Sequence, residues 1–397
     1  MFTSEKINKI KLESIASLKS EFETLSKEKK IPPEWKKIFS KYSDLNSAAG
    51  METWLNSYFV YHYFADIELE WKKVESKSQE KITEFHSEIL NNLLNDFREE
   101  DFQFLEWERL KVTKKNISTC LKTFKSKSLK DLTKTQKKFI PGYYLNTYEY
   151  APENPSKAGV DLQLKTGKTP IPKIEQAKNS IKELEHFWKE GFDLFSTLTD
   201  TILIVQSDGL VSYSHFTEPG VSYINFIDRD LLDSIDDLIH ENAHHHLNLL
   251  LKKYRVFKKD DFDTVYYSPW RRELRSLYGI YHASFTFSYG AMLFYHIFTS
   301  EKKDRSILTE RDFLRAKSRF AEETLMLNYS LEDLQRDRSG LTSRGQEILD
   351  KLLTWNEIAN HNLKSVLKDL RRTEFDSRLK ELDKLLKKKR KEYKNLP

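Results

Sequence analysis

Residues 230–251 read DLLDSIDDLIHENAHHHLNLLL. Ile235, Leu238, Ile239, Leu247 and Leu250 fall at the three- and four-residue steps of a helix that buries one side. Asp230 and Asp233 suit the positive end of the helix dipole, so a helix is predicted over about 230–252. Within it His240 and His244 lie four residues apart, and both imidazoles leave the same face one turn from each other. Two neutral imidazole nitrogens at that spacing can reach one divalent ion, with Glu241 beside them, the pattern H-E-x-x-H. In a chain with 11 histidines, a chance match has an expectation on the order of 0.02. His245 and His246 leave on other faces and read as supporting or core residues.

Outward from this helix the pattern is mostly helical. Two strand candidates precede it, TDTILIV at 199–205 and PGVSYINFI at 219–227, joined by SDGLVSYSHFTE. Further helices are predicted at about 4–28, 79–99, 173–195, 271–299, 308–328, 343–370 and 376–394. The aromatic stretch METWLNSYFVYHYFADIELEW at 51–71 reads as a core helix, and Pro32 and Pro33 as a helix-start signal. Five of the ten prolines fall within 141–172, which predicts an irregular linker or edge segment there. The expected fold is mainly α with a small central β-sheet, an α+β chain whose metal-binding helix sits in a helical core. Its expected regions are 1–140, N-terminal helices; 141–172, linker; 173–300, metal-binding catalytic core; and 301–397, C-terminal helices with a basic tail.

Composition narrows the function classes. The 66 Lys and Arg against 61 Asp and Glu leave +5 over 397 residues, which is no nucleic-acid footprint. A single cysteine, Cys120, excludes an internal disulfide framework and a Cys-rich metal site. The opening residues carry charge throughout and lack the apolar run of a secretory signal. Residues 277–298, LYGIYHASFTFSYGAMLFYHIF, contain no Asp, Glu, Lys or Arg. Two histidines, two glycines and many hydroxyls there favour a buried helix over a membrane span. The expectation is a cytoplasmic protein without membrane or nucleic-acid partners. The basic segment 376–394 reads as a solvated helix with cations at its C-terminal end, or as a docking surface for an acidic partner.

Two histidines do not complete a metal site. The continuation H-E-x-x-H-x-x-G-x-x-H fails, because Leu247 and Leu250 stand at its last two fixed positions. A downstream glutamate would make a peptidase site, and Glu273 is the nearest candidate. His282, on the next predicted helix, is the other donor, with a core histidine as its plain alternative. Asp236 and Asp237 are fallback ligands. Between lies YYSPWRRELRSLYGIYH, residues 266–282, where Arg271 and Arg275 would share a helix face. Guanidinium is suited to bidentate capture of a carboxylate. A metal beside fixed arginines fits a small dianionic acid that chelates at one end; ordinary salt bridging is the alternative.

The run HENAHHHLN, followed by S-P-W-R, a second arginine and a histidine, resembles the HExxH-type peptide modification proteins over about residues 199–299. That resemblance implies a non-haem Fe(II)- and 2-oxoglutarate-dependent oxygenase that β-hydroxylates a residue of a ribosomally made peptide. It implies His240, His244 and His282 as metal ligands, and Arg271 or Arg275 on the distal carboxylate of 2-oxoglutarate. Two alternatives stay open beside it. One is a zinc metallopeptidase with Glu241 as the catalytic general base. The other is a non-catalytic helical peptide-binding scaffold.

Overall fold

The computed structural model describes residues 3–27, 40, 109–111, 121–122, 171–199, 201–205, 212–214, 220–226, 229–259, 265–301 and 306–393. The helices expected at 51–71 and 79–99, the prolines at 32 and 33, Cys120, and all but the last two residues of the 141–172 linker lie outside them. Helices dominate the described residues, and the strands form one small sheet and one hairpin.

In chain order the elements are helix α1 (Ser4–Lys27), strands β1 (Arg109–Lys111) and β2 (Leu121–Lys122), and helices α2 (Ile171–Phe187) and α3 (Lys189–Leu198). Strands β3 (Thr201–Val205), β4 (Tyr213–Ser214) and β5 (Val221–Asn225) follow, then helix α4 (Leu231–Lys253). Next come strands β6 (Tyr266–Ser268) and β7 (Glu273–Arg275), and helices α5 (Leu277–Thr299), α6 (Glu310–Arg336), α7 (Ser343–Asp369) and α8 (Asp376–Glu392).

The chain divides into two compact units: residues 1–10, 175–198 and 229–397 form one, and residues 11–174 and 199–228 the other. The second unit holds the sheet, in the order β2-β1-β3-β5-β4. Its centre is the parallel pair β3–β5, running from Thr201 opposite Val221 to Val205 opposite Asn225. The outer pairings are antiparallel. Ile202, Tyr223 and Ile224 are buried, and Tyr213 stacks on Tyr223 across the β4–β5 ladder with 4.4 Å between centroids. Cross-strand aromatic pairs of this kind stabilise short ladders.

The first unit is built on α5, which packs against α4, α6 and α7. Its apolar sequence is explained by that position: Ile280, Tyr281, Phe285, Leu293 and Ile297 are all fully buried. No described helix is long and apolar enough to cross a membrane. Asp230 caps α4 by accepting the Asp233 N–H at 3.0 Å, and also receives the Arg315 guanidinium of α6. Thr309 and Asp312 form a capping box at the start of α6, satisfying two otherwise orphaned N–H groups.

The expected helix 271–299 is shorter than its periodicity suggests. Ser276 caps α5 by accepting the Gly279 N–H at 3.2 Å, and the residues before it form the β6–β7 hairpin. The turn at 269–272 places Arg272 at φ 58°, and the Arg272 N–H reaches Ser268 O at 2.7 Å. A left-handed residue at position 272 interrupts a helix there, and the residues on either side of the turn pair as strands instead. Arg271 and Arg275 therefore do not share a helix face. The helix expected at 173–195 is likewise two pieces, α2 and α3, meeting at Trp188.

On the outside, Tyr267 of β6 lies in a cluster with Tyr329 of α6 and Leu386 of α8. Tyr393 stacks on it at 5.5 Å. The inner side of α8 thus packs on the hairpin, while Lys384, Lys388 and Lys391 are exposed.

Candidate metal centre

His240 and His244 project from the middle of α4, where Leu238, Ile239, Ala243 and Leu247 are fully or almost fully buried and fix the helix rotation. The two rings stand 4.8 Å apart between centroids. With Glu241 they form a cluster that can hold a metal ion, with one ligand atom of each residue within 4.8 Å of the others. Glu241 is 2% exposed, and the two histidines are half-buried.

α5 runs beside α4 and brings in a third imidazole. His282 Nε2 lies 2.9 Å from His244 Nδ1, and their rings are 89° apart in plane. Two nitrogens each about 2.1 Å from one ion and at right angles around it stand about 3.0 Å apart. The observed spacing is therefore that of two neighbouring ligands, as well as that of two nitrogens sharing a proton. Imidazole nitrogens are donors for first-row divalent metals such as iron or zinc; among the described residues the cluster that could hold an ion is His240, Glu241 and His244, and His282 touches it through His244.

The electrostatics keep His240 and His244 unprotonated. Burial, then the charges of Arg271 and Arg319, push His240 down to about 4. Burial, then His282, His240, His245 and Arg271, hold His244 well below the usual imidazole range. At neutral pH both rings retain a lone pair for a metal, which is the form metal binding requires.

The arginines separate. Arg271, exposed on the hairpin turn, is the one whose charge acts on both His240 and His244. Arg275 pairs with Glu273 at 3.1 Å on its own strand and lies against Gly279. The carboxylates that could serve as other ligands are engaged elsewhere. Asp236 pairs with Arg319 at 2.8 Å, Asp237 with Arg229 at 3.1 Å, and Glu273 with Arg275. Gly290 leaves room for the Asp236 carboxylate, because a Cβ there would stand 3.2 Å from Oδ1.

His245 and His246 are buried on other faces of α4. His246 Nδ1 and the Tyr289 hydroxyl are hydrogen-bonded at 2.6 Å, and burial pushes His246 down to about 3. Both belong to the packing of α4. Three residues without a sequence signature of their own shape the centre: Phe287, whose ring meets His240 at 4.7 Å; Trp270, stacked on Phe287; and Glu323, which accepts the Trp270 N–H. Trp270 lies inside the S-P-W-R run, but nothing in the stretch around Glu323 marks it.

No protein-family model matches the chain, and no curated protein matches it.

Proposed function

We propose that the protein is a non-haem Fe(II)- and 2-oxoglutarate-dependent oxygenase that hydroxylates a peptide residue. The observation that carries this reading is His282, which meets His244 at 2.9 Å from a separate helix and supplies a third imidazole. Arg271 supports it, a guanidinium whose charge reaches the same rings. A ribosomally made peptide as substrate follows from the likeness of residues 199–299 to the HExxH-type peptide modification proteins.

In this reading His240, His244 and His282 hold the iron and leave further positions for small ligands. Iron with 2-oxoglutarate supplies the oxidation, in which O2 is consumed, the keto acid becomes succinate and CO2, and one oxygen atom enters a substrate C–H bond. Arg271 receives the distal carboxylate of the keto acid through charge-assisted hydrogen bonds and sets its direction. Phe287 and Trp270 form an apolar side to the centre and limit water there. Glu241, buried beside the two α4 histidines, supports them by its position.

One observation favours a second reading. The Glu241 carboxylate belongs to the His240–His244 cluster, the place of a general base in a zinc peptidase. The two reactions leave different products. Purified protein is incubated in air with Fe(II), ascorbate, 2-oxoglutarate and peptides encoded beside its gene. The oxygenase reading expects succinate above a His244→Ala control and a peptide heavier by one oxygen atom. Cleaved peptide with zinc bound and no dependence on keto acid would establish the peptidase.

A further inference from the structure

A buried acid behind the metal centre has no part in the chemistry above. Glu323 on α6 is 3% exposed and accepts the indole N–H of Trp270 at 2.7 Å. Trp270 lies flat on Phe287, 4.5 Å between centroids and 5° between planes. Phe287 in turn meets the His240 ring at 4.7 Å. Trp270 is also the residue before Arg271, in a turn closed by the Arg272 N–H on Ser268 O and the Arg271 N–H on Ser268 Oγ. One indole thus connects a metal-binding imidazole on one side with a cationic side chain on the other.

We propose that Glu323 is a positioning residue: by holding the Trp270 indole it keeps the His240 imidazole and the Arg271 guanidinium in register across the metal centre. This rests on the metal-centre reading of His240. An indole has a single donor. Stacking on Phe287 fixes the plane of the ring but leaves it able to slide and turn within that plane. The hydrogen bond from Nε1 removes that freedom. Trp270 is then located by two constraints at right angles, and the backbone that carries Arg271 is located with it.

The acid works by accepting a hydrogen bond rather than by carrying charge. Burial is the main cause that pushes Glu323 up to about 8, against Arg319 and the Trp270 bond, with Asp236 and Glu322 adding to the rise. At neutral pH it is mainly the protonated acid, so glutamine is its close neutral counterpart. Second-layer partners of metal-bound histidines commonly tune affinity by 10–100-fold, and a contact relayed through two rings should act less strongly.

The test is Co(II) titration of the full-length protein, read by its visible absorption, followed by 2-oxoglutarate titration into the cobalt form. Trp270→Phe retains an aromatic ring for the Phe287 stack but deletes the donor together with one ring of the indole, so Glu323→Ala, which leaves the indole whole, is read beside it. Trp270→Phe and Glu323→Ala should each weaken Co(II) about 3- to 10-fold, alter the absorption envelope, and weaken 2-oxoglutarate about tenfold. Glu323→Gln should restore all three to within about twofold of wild type. Wild-type spectra and affinities in Trp270→Phe would overturn the proposal, and so would a Glu323→Gln as impaired as Glu323→Ala. His240→Ala should lose the cobalt spectrum; if it does not, the metal-centre reading falls and the positioning role with it. If 2-oxoglutarate leaves the wild-type cobalt spectrum unchanged, only the keto-acid reading fails, and the cobalt affinities alone decide the role of Glu323.

Discussion

Replacing Glu323 by glutamine should change how stability depends on pH. The folded protein raises this carboxyl from 4.5 to about 8, chiefly by burial in the interior of α6 beneath Trp270. A carboxyl whose pKa is higher folded than unfolded binds its proton more tightly in the folded state. Its stabilising contribution is therefore complete below about 4.5 and is lost as the pH climbs through 8. Relative to a glutamine that never ionises, wild type should lose roughly 3–4 kcal/mol between about pH 5 and about pH 8. Urea denaturation followed by far-ultraviolet circular dichroism, on both proteins at each pH, isolates this difference, because every other titrating group is common to the pair. The expected result is a midpoint that falls with pH in wild type more steeply than in Glu323→Gln. Parallel profiles would mean that Glu323 titrates alike in the folded and unfolded chains, contrary to its burial beneath Trp270.

Other substitutions separate the roles within the centre. Arg271→Ala should raise the apparent KM for 2-oxoglutarate about 10- to 100-fold, the loss of one charge-assisted contact, while Arg275→Ala, whose guanidinium pairs with Glu273, should move it far less; equal effects would remove Arg271 from its assigned place. Glu241→Gln should leave succinate formation measurable, whereas loss of a general base in a peptidase would cost about 10²–10⁴ in rate. Asp230→Ala removes the cap of α4 and its pairing with Arg315. It should destabilise the protein by about 1–2 kcal/mol in urea melts, and an unchanged midpoint would show that the cap contributes nothing.

Much of the helical frame was legible because its signals are local. α4 carries its own cap at Asp230, its buried stripe and its H-E-x-x-H spacing within one continuous run, and the capping residues before α6 and α7 are equally explicit. His282 was legible only as a donor on the next predicted helix, and its approach to His244 is set by the packing of α5 on α4. The hairpin at 266–275 was hidden because Arg271 and Arg275 fall at helical spacing, and the tertiary packing of Tyr267 against Tyr329 and Leu386 favours strand over that spacing. Asp236, Asp237 and Glu273 looked available as ligands because their partners, Arg319, Arg229 and Arg275, declare themselves only in three dimensions. Glu323 was invisible for a related reason: a carboxyl within a helix of alternating charge reads as surface until the neighbouring hairpin covers it.

Three imidazoles from two helices are proposed to bind one iron. Iron K-edge X-ray absorption of the protein reconstituted with Fe(II), compared with His282→Ala, tests this most directly. Three histidine rings should scatter around the iron in wild type and two in the variant. A wild-type iron with two histidine rings, unchanged by the His282→Ala substitution, would contradict the proposal.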